Sequence, residues 1–218
     1  QSGYQSVSEG FYEAAVLNFN KGRWAFRGSG TFRKNANYTD GNGDEVLFSQ
    51  YNKTNFSLST AYRLANQTQV LADVILDNGW DIGYPALPMD VGSARANLFS
   101  LSIRNMDASR KWQSREARLY YNYVNHSMDD TKRPSVPMHM DMPGQSKTAG
   151  FYAEAFRRIS NRQTLQVRAD GSSTFLTASM TMYPPDEIPM YMLTWPDNRR
   201  NQAGISANWQ WKPDSIHT

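Results

Sequence analysis

The spacing of the breaks constrains this chain most. Apolar and polar residues alternate with period two along most of it, and the breaks between such runs are alternately short and long. The short ones fall near residues 20, 65, 108 and 161, the long ones near 42, 86, 136 and 186. Period two is the strand signal, because successive side chains on a strand point to opposite faces. Thr54 to Leu64 is the cleanest run: Phe56, Leu58, Thr60, Tyr62 and Leu64 share a face opposite Asn55, Ser57, Ser59 and Arg63. Trp24, Phe26, Gly28, Gly30 and Phe32 oppose Arg23, Arg27, Ser29 and Thr31 in the same way. Ala117, Leu119, Tyr121 and Tyr123 oppose Glu116, Arg118, Tyr120 and Asn122. Most runs extend over roughly 9–11 residues, the length a tilted strand needs to cross a bilayer.

Tight turns at one end and long loops at the other describe a meander. A Greek-key sandwich mixes loop lengths at both ends. Strands with one greasy and one charged face need water on the charged side, and the lumen of a closed barrel supplies it. The expected fold class is all-β: an antiparallel meander forming part of a transmembrane β-barrel, with short periplasmic turns and long extracellular loops, as one segment over residues 1–218.

Composition narrows the classes. A net charge of +3, scattered along the chain, gives no footprint for nucleic acid. There is no cysteine, so no disulfide framework and no thiolate ligand. No apolar run is long enough for a membrane-spanning helix, and no signal peptide is visible at Gln1. Aromatic residues make up 13% of the chain, while the mean hydropathy is low at −0.67. Both a polar-lined barrel with aromatic girdles and a secreted β-sandwich have this mix. In a barrel, Trp24, Tyr121, Tyr123, Trp209 and Trp211 are expected at the membrane interface; in a soluble protein they are core. Arg118, Glu154, Arg158, Arg168 and Asp170 fall on the lumen side and are expected to pair across strands.

One stretch concentrates soft ligands: PSVPMHMDMPG, residues 134–144. Its prolines are expected to hold it as an irregular loop. Thioethers select Cu(I), and imidazole suits copper too. Met138, His139, Met140 and Met142, with His126 and Met128 upstream, form a candidate metal site. Met180, Met182, Met190 and Met192, in the next long segment, are candidate substrate-binding residues. Each i, i+2 pair puts both sulfurs on one side of an extended chain. The competing reading is adaptable apolar filler packing loop on loop. Asp40-x-Asn42-x-Asp44 touches the calcium-loop pattern, but the next glutamate comes at once rather than at the twelfth position, so solvated loop charge is the reading. Three histidines, no cysteine and no Gly-x-Ser-x-Gly leave no nucleophile pattern, and no enzyme is expected.

Asp81 to Asp90 (DIGYPALPMD) with the strand Asn97 to Arg104, His126 to Pro134 (HSMDDTKRP) and Met140 to Phe151 (MDMPGQSKTAGF) resemble the barrel of a TonB-dependent outer-membrane receptor. The resemblance covers most of the chain. It implies a barrel of roughly 22 strands around a plug, energised by the TonB complex through that plug, in a Gram-negative outer membrane. Its implied partners are outer-membrane lipid, TonB and other outer-membrane subunits. The cargo it implies is a scarce metal or metal chelate, a siderophore or copper. The chain departs from the family in three ways: roughly nine or ten strands can be counted, no plug or TonB-contacting segment is present, and Ser215-Ile216-His217-Thr218 lacks the closing aromatic. An internal stretch of a longer receptor is therefore expected. The alternatives are a small barrel acting as a passive pore or structural protein, and a secreted β-domain that binds carbohydrate.

Overall fold

The computed structural model describes residues 1–107, 109 and 111–212. The tail from Ser215 to Thr218, whose lack of an aromatic was noted above, lies outside them. The strands are β1 (Ser2–Gln5), β2 (Gly10–Lys21), β3 (Trp24–Asn35), β4 (Tyr38–Thr39), β5 (Glu45–Val46), β6 (Tyr51–Ala65), β7 (Thr68–Ile82), β8 (Asp90–Met106), β9 (Trp112–Asp129), β10 (His139–Ser160), β11 (Gln163–Tyr183) and β12 (Met190–Trp211). Ten of them form one antiparallel sheet in the order β1-β2-β3-β6-β7-β8-β9-β10-β11-β12; β4 and β5 make a separate hairpin. Each long strand pairs with its sequence neighbours, so the meander expected from the loop lengths is what forms.

The faces follow the alternation. Trp24, Phe26, Gly28 and Gly30 pair with Tyr62, Thr60, Leu58 and Phe56. Phe56, Leu58 and Thr60 pair in turn with Leu76, Val74 and Ala72. Leu119 and Tyr121 lie between Leu101 and Phe99 on one side and Phe151 and Ala149 on the other. This greasy face stays uncovered: Leu17 is 76% exposed, Leu119 62% and Ile205 86%. Met89 and Val91 are the only buried apolar residues among those described. The accessible surface is 14981 Å², against roughly 10,000 Å² for a globular chain of this mass. So the chain makes one sheet with no interior of its own, which is not the sandwich of the soluble alternative. The two edge strands, β1 and β12, are not paired with each other.

Several expectations need correcting. The strands are longer than the apolar runs; β8 to β12 hold 17 to 22 residues each. Much of what looked like loop is strand standing beyond the apolar band. The segment 125–147 is β9 and β10 except for residues 130–138, and 171–201 is β11 and β12 except for residues 184–189. The polar stretch 35–50 contains the β4–β5 hairpin, and β1 carries no pattern that announced it. Pro134 and Pro137 lie in the connection between β9 and β10 as expected, whereas Pro143 and Pro196 sit inside strands for a local reason. Pro143 pairs with Ser127 of β9, while the β10–β11 ladder is interrupted there, between Asp141↔Thr181 and Gly144↔Ala178. Pro196 sits on the edge strand at an irregularity, between Ala178↔Trp195 and Leu176↔Asn198. Bulges and edges are where a strand tolerates a missing N–H.

The water-side charges pair differently from the expectation. Arg104 reaches across to Glu116 (2.7 Å), whereas Arg118 meets Glu116 (3.5 Å) and Arg168 meets Asp170 (3.4 Å) along their own strands. The phenol of Tyr152 donates to Glu116 Oε1 at 2.8 Å, and its ring lies between the guanidinium groups of Arg118 and Arg168. Of the expected interface residues, Trp24, Trp209 and Trp211 stand at the tight-turn end of the outer face. Tyr121 and Tyr123 stand higher on it, beside Phe99 and Asn97.

Candidate metal-binding face

Seven of the chain's ten methionines come together through strand register. Met140, Met182 and Met190 are consecutive partners across β10, β11 and β12. Two residues further along, Met128 pairs with Met142 across β9 and β10, and Met180 with Met192 across β11 and β12. Met142 and Met180 take matching places on either side of the ladder gap at Pro143. Partners stand about 5 Å apart at Cβ, and positions two apart share a face. The result is a two-row thioether patch on four neighbouring strands, at the long-loop end. It lies on the same side of the sheet as Arg118, Tyr152 and Arg168.

His126 belongs to this patch. It precedes Met128 by two residues and pairs with Gly144, and an added Cβ on Gly144 would sit 3.4 Å from its Nδ1. The ring therefore lies over bare backbone beside the methionines. Two expected ligands are placed elsewhere. Met138 lies in the connection before β10, outside the ladder. His139 starts β10 on the opposite parity from Met140, with its side chain 58% exposed. Its Nδ1 is hydrogen-bonded to Asp130 Oδ1 at 3.0 Å, and Asp130, 1% exposed, also accepts the Met140 N–H at 2.9 Å. A carboxylate only accepts, so Nδ1 is the donor in this contact.

Among the described residues, no group of three or more His, Cys, Asp or Glu side chains is placed to hold a metal ion. Hard cations have no site of that kind, and the arrangement that exists is one of soft sulfur with a single imidazole at its border. Asp40 illustrates the contrast. Its carboxylate accepts the backbone N–H groups of Asn42 (2.9 Å) and Asp44 (3.0 Å), which hold it below the usual carboxylate range. It closes its own turn.

Sequence reading missed what holds the loops beside this face. Arg133 grips Asp90 with two nitrogens, Nε at 3.0 Å and Nη2 at 2.5 Å. Nη2 also donates to the Tyr84 carbonyl at 3.0 Å, and the guanidinium rests 3.7 Å from the Phe48 ring centroid. Both charged side chains are under a tenth exposed. Next to it, Lys132 pairs with Asp81, whose carboxyl is held below its usual range chiefly by that contact. Thus two of the stretches that carried the family resemblance, DIGYPALPMD and HSMDDTKRP, clasp each other. The signal was an arginine and a lysine in one loop facing two aspartates at the strand ends that flank another, and nothing local names the pairing.

No family model and no curated protein matches the chain. Its fold is similar to that of a solved structure titled "Copper transporter OprC", with a TM-score of 0.80 and 20% sequence identity. The match covers 94% of this chain and 32% of that one, so the chain spans about a third of that protein's length.

Proposed function

We propose that these strands are part of the outer-membrane barrel of a TonB-dependent receptor, and that the methionine face captures a soft metal cargo, copper as Cu(I) or a copper complex, for energised uptake. The observation that carries this reading is the register of Met140, Met182 and Met190, flanked by Met128, Met142, Met180, Met192 and His126. Thioethers discriminate for Cu(I) against the harder divalent ions. The fold's likeness to a copper transporter supports the same cargo, and the uncovered apolar face supports a bilayer around it. The role is transport, without catalysis. A plug outside these strands would close the lumen and contact TonB.

Cu(I) affinity is the test. The full-length gene product, purified in detergent, is titrated with Cu(I) against a chromophoric chelator, alongside a variant with Met140, Met182 and Met190 all changed to Leu. Loss of more than roughly ten-fold in affinity, the weight of about one ligand at 1.4 kcal/mol, supports the site. Equal affinities reduce the methionines to packing.

A further inference from the structure

On the outer face, Ala117, Ala153 and Ala169 are direct cross-strand partners on β9, β10 and β11. They floor a shallow apolar trough of about 500 Å³. Ile103 on β8 and Ile205 on β12, the outer partners of Ala117 and Ala169, wall it. Ala155 and Val167 continue it towards the tight-turn end. There it meets cations. Arg115 pairs with Ala155, and Arg157 lies two residues beyond Ala155 on the same face. Arg157 is stacked over the Trp112 ring at 5.3 Å and has a buried Nε with no hydrogen-bond partner. Arg115 donates to Asn105 Oδ1 at 3.1 Å. Among the described residues, neither arginine shows an ion pair.

A groove of small residues ending in two arginines that make no ion pair among the described residues matches an amphiphile with an anionic head and a straight tail. Guanidinium groups bind phosphate in bidentate fashion, and a tryptophan beside them marks the interfacial level. We infer that this trough is a lipid site: an anionic phospholipid of the leaflet at the tight-turn end lays an acyl chain over Ala117, Ala153 and Ala169 and sets its phosphate on Arg115 and Arg157. The inference rests on the reading above, that the outer face meets lipid. A second copy is the poorer occupant, because alanine facing alanine would leave both arginines without an anion.

Lipid carried through purification tests it. The full-length protein is purified in non-ionic detergent from bacterial membranes, and bound phosphatidylglycerol and phosphatidylethanolamine are quantified by mass spectrometry. Wild type is expected to retain phosphatidylglycerol above its share of the membrane. Arg115→Gln with Arg157→Gln is expected to lose that enrichment, by roughly five-fold per arginine, the weight of one basic residue at an anionic surface. Ala153→Phe, which fills the trough and keeps both charges, is expected to lose it as well. Fast migration of unheated samples on a denaturing gel verifies that each variant is folded. If wild type and both folded variants retain the same lipid ratio, the site does not exist. If Ala153→Cys yields disulfide-linked dimers and wild type shows no enrichment, the trough belongs to a second copy. A wild-type protein that stays monodisperse without detergent would remove the membrane reading itself, a result separable from the loss of the lipid site alone.

Discussion

The ring of Tyr120 on β9 lies across Gly150 on β10, so that a Cβ added to the glycine would overlap the phenol. Gly171, the partner of Gly150's neighbour Phe151, is covered from the other side of the sheet by the Phe151 ring at 2.8 Å from its would-be Cβ. Aromatic rings thus replace the side chains that two strand glycines lack, one on each face. Bare glycine in a strand is costly in entropy and contact, and a ring laid over it restores contact.

Gly150→Val is therefore expected to destabilise the sheet by about 1–3 kcal/mol through overpacking. Tyr120→Ser in the same protein is expected to recover only part of this, because the Gly171 carbonyl lies 2.8 Å from the same position. Denaturant unfolding in detergent, read as a double-mutant cycle, measures both. Additive effects would mean that the two residues are not in contact.

The face assignment has its own check. Leu119→Arg puts a charge in the middle of the proposed lipid-facing band and should cost about 2–4 kcal/mol in a bilayer. Asn122→Arg, three residues away on the water side, should cost less than about 0.5 kcal/mol. Folding yield into vesicles separates them. Equal yields would contradict hydrocarbon contact at Leu119.

Arg133→Lys keeps a charge but loses the bidentate grip on Asp90. Arg133→Met breaks a buried pair, a change that costs about 3–5 kcal/mol. The expected outcome is faster amide exchange in residues 83–89 and 130–138 for both, larger for Met, with strands β9 and β10 unchanged below the apolar band. Exchange that rises evenly over the sheet would show that the clasp supports the whole fold rather than the loops.

Acid should open the second clasp. The Asp81 carboxyl is lowered by its bond to Lys132, so the pair's contribution is complete above the ordinary carboxylate pKa and is lost as pH falls through the lowered value. Loosening of residues 130–138 is thus expected only below about pH 4. In Asp81→Asn the part of the step that belongs to this pair should be absent, the segment being looser already at neutral pH, while the contacts of Asp90 and Asp130 remain. Limited proteolysis across pH reads this directly.

Within the metal reading, position ranks the methionines. Met182 stands between Met140 and Met190, whereas Met138 is outside the ladder. Met182→Leu is expected to weaken Cu(I) binding and Met138→Leu to leave it unchanged. A larger effect at Met138 would move the site into the loop.

The meander, the greasy face and the end at which the loops gather were legible in the sequence, because a strand's side chains alternate and a tight turn leaves its neighbours no choice but to pair. Phe56, Leu58 and Tyr62 needed no knowledge of the rest of the chain. The methionine patch was half legible: the pairs at 180/182 and 190/192 declare a shared side, and Met182 meets Met190 directly across the connection at 184–189, yet Met182 meets Met140 only because register is carried up the whole β10–β11 ladder from the turn at 161–162. Pro134 and Pro137 read correctly and Pro143 misled, since what a proline does to a strand depends on whether a neighbour wanted its N–H, and at Pro143 the β10–β11 ladder is already open. The clasp of Arg133 on Asp90 and the seating of His139 on Asp130 were decided by tertiary structure alone. A charge finds its partner by proximity in space, and proximity between loops is set by the sheet that carries them.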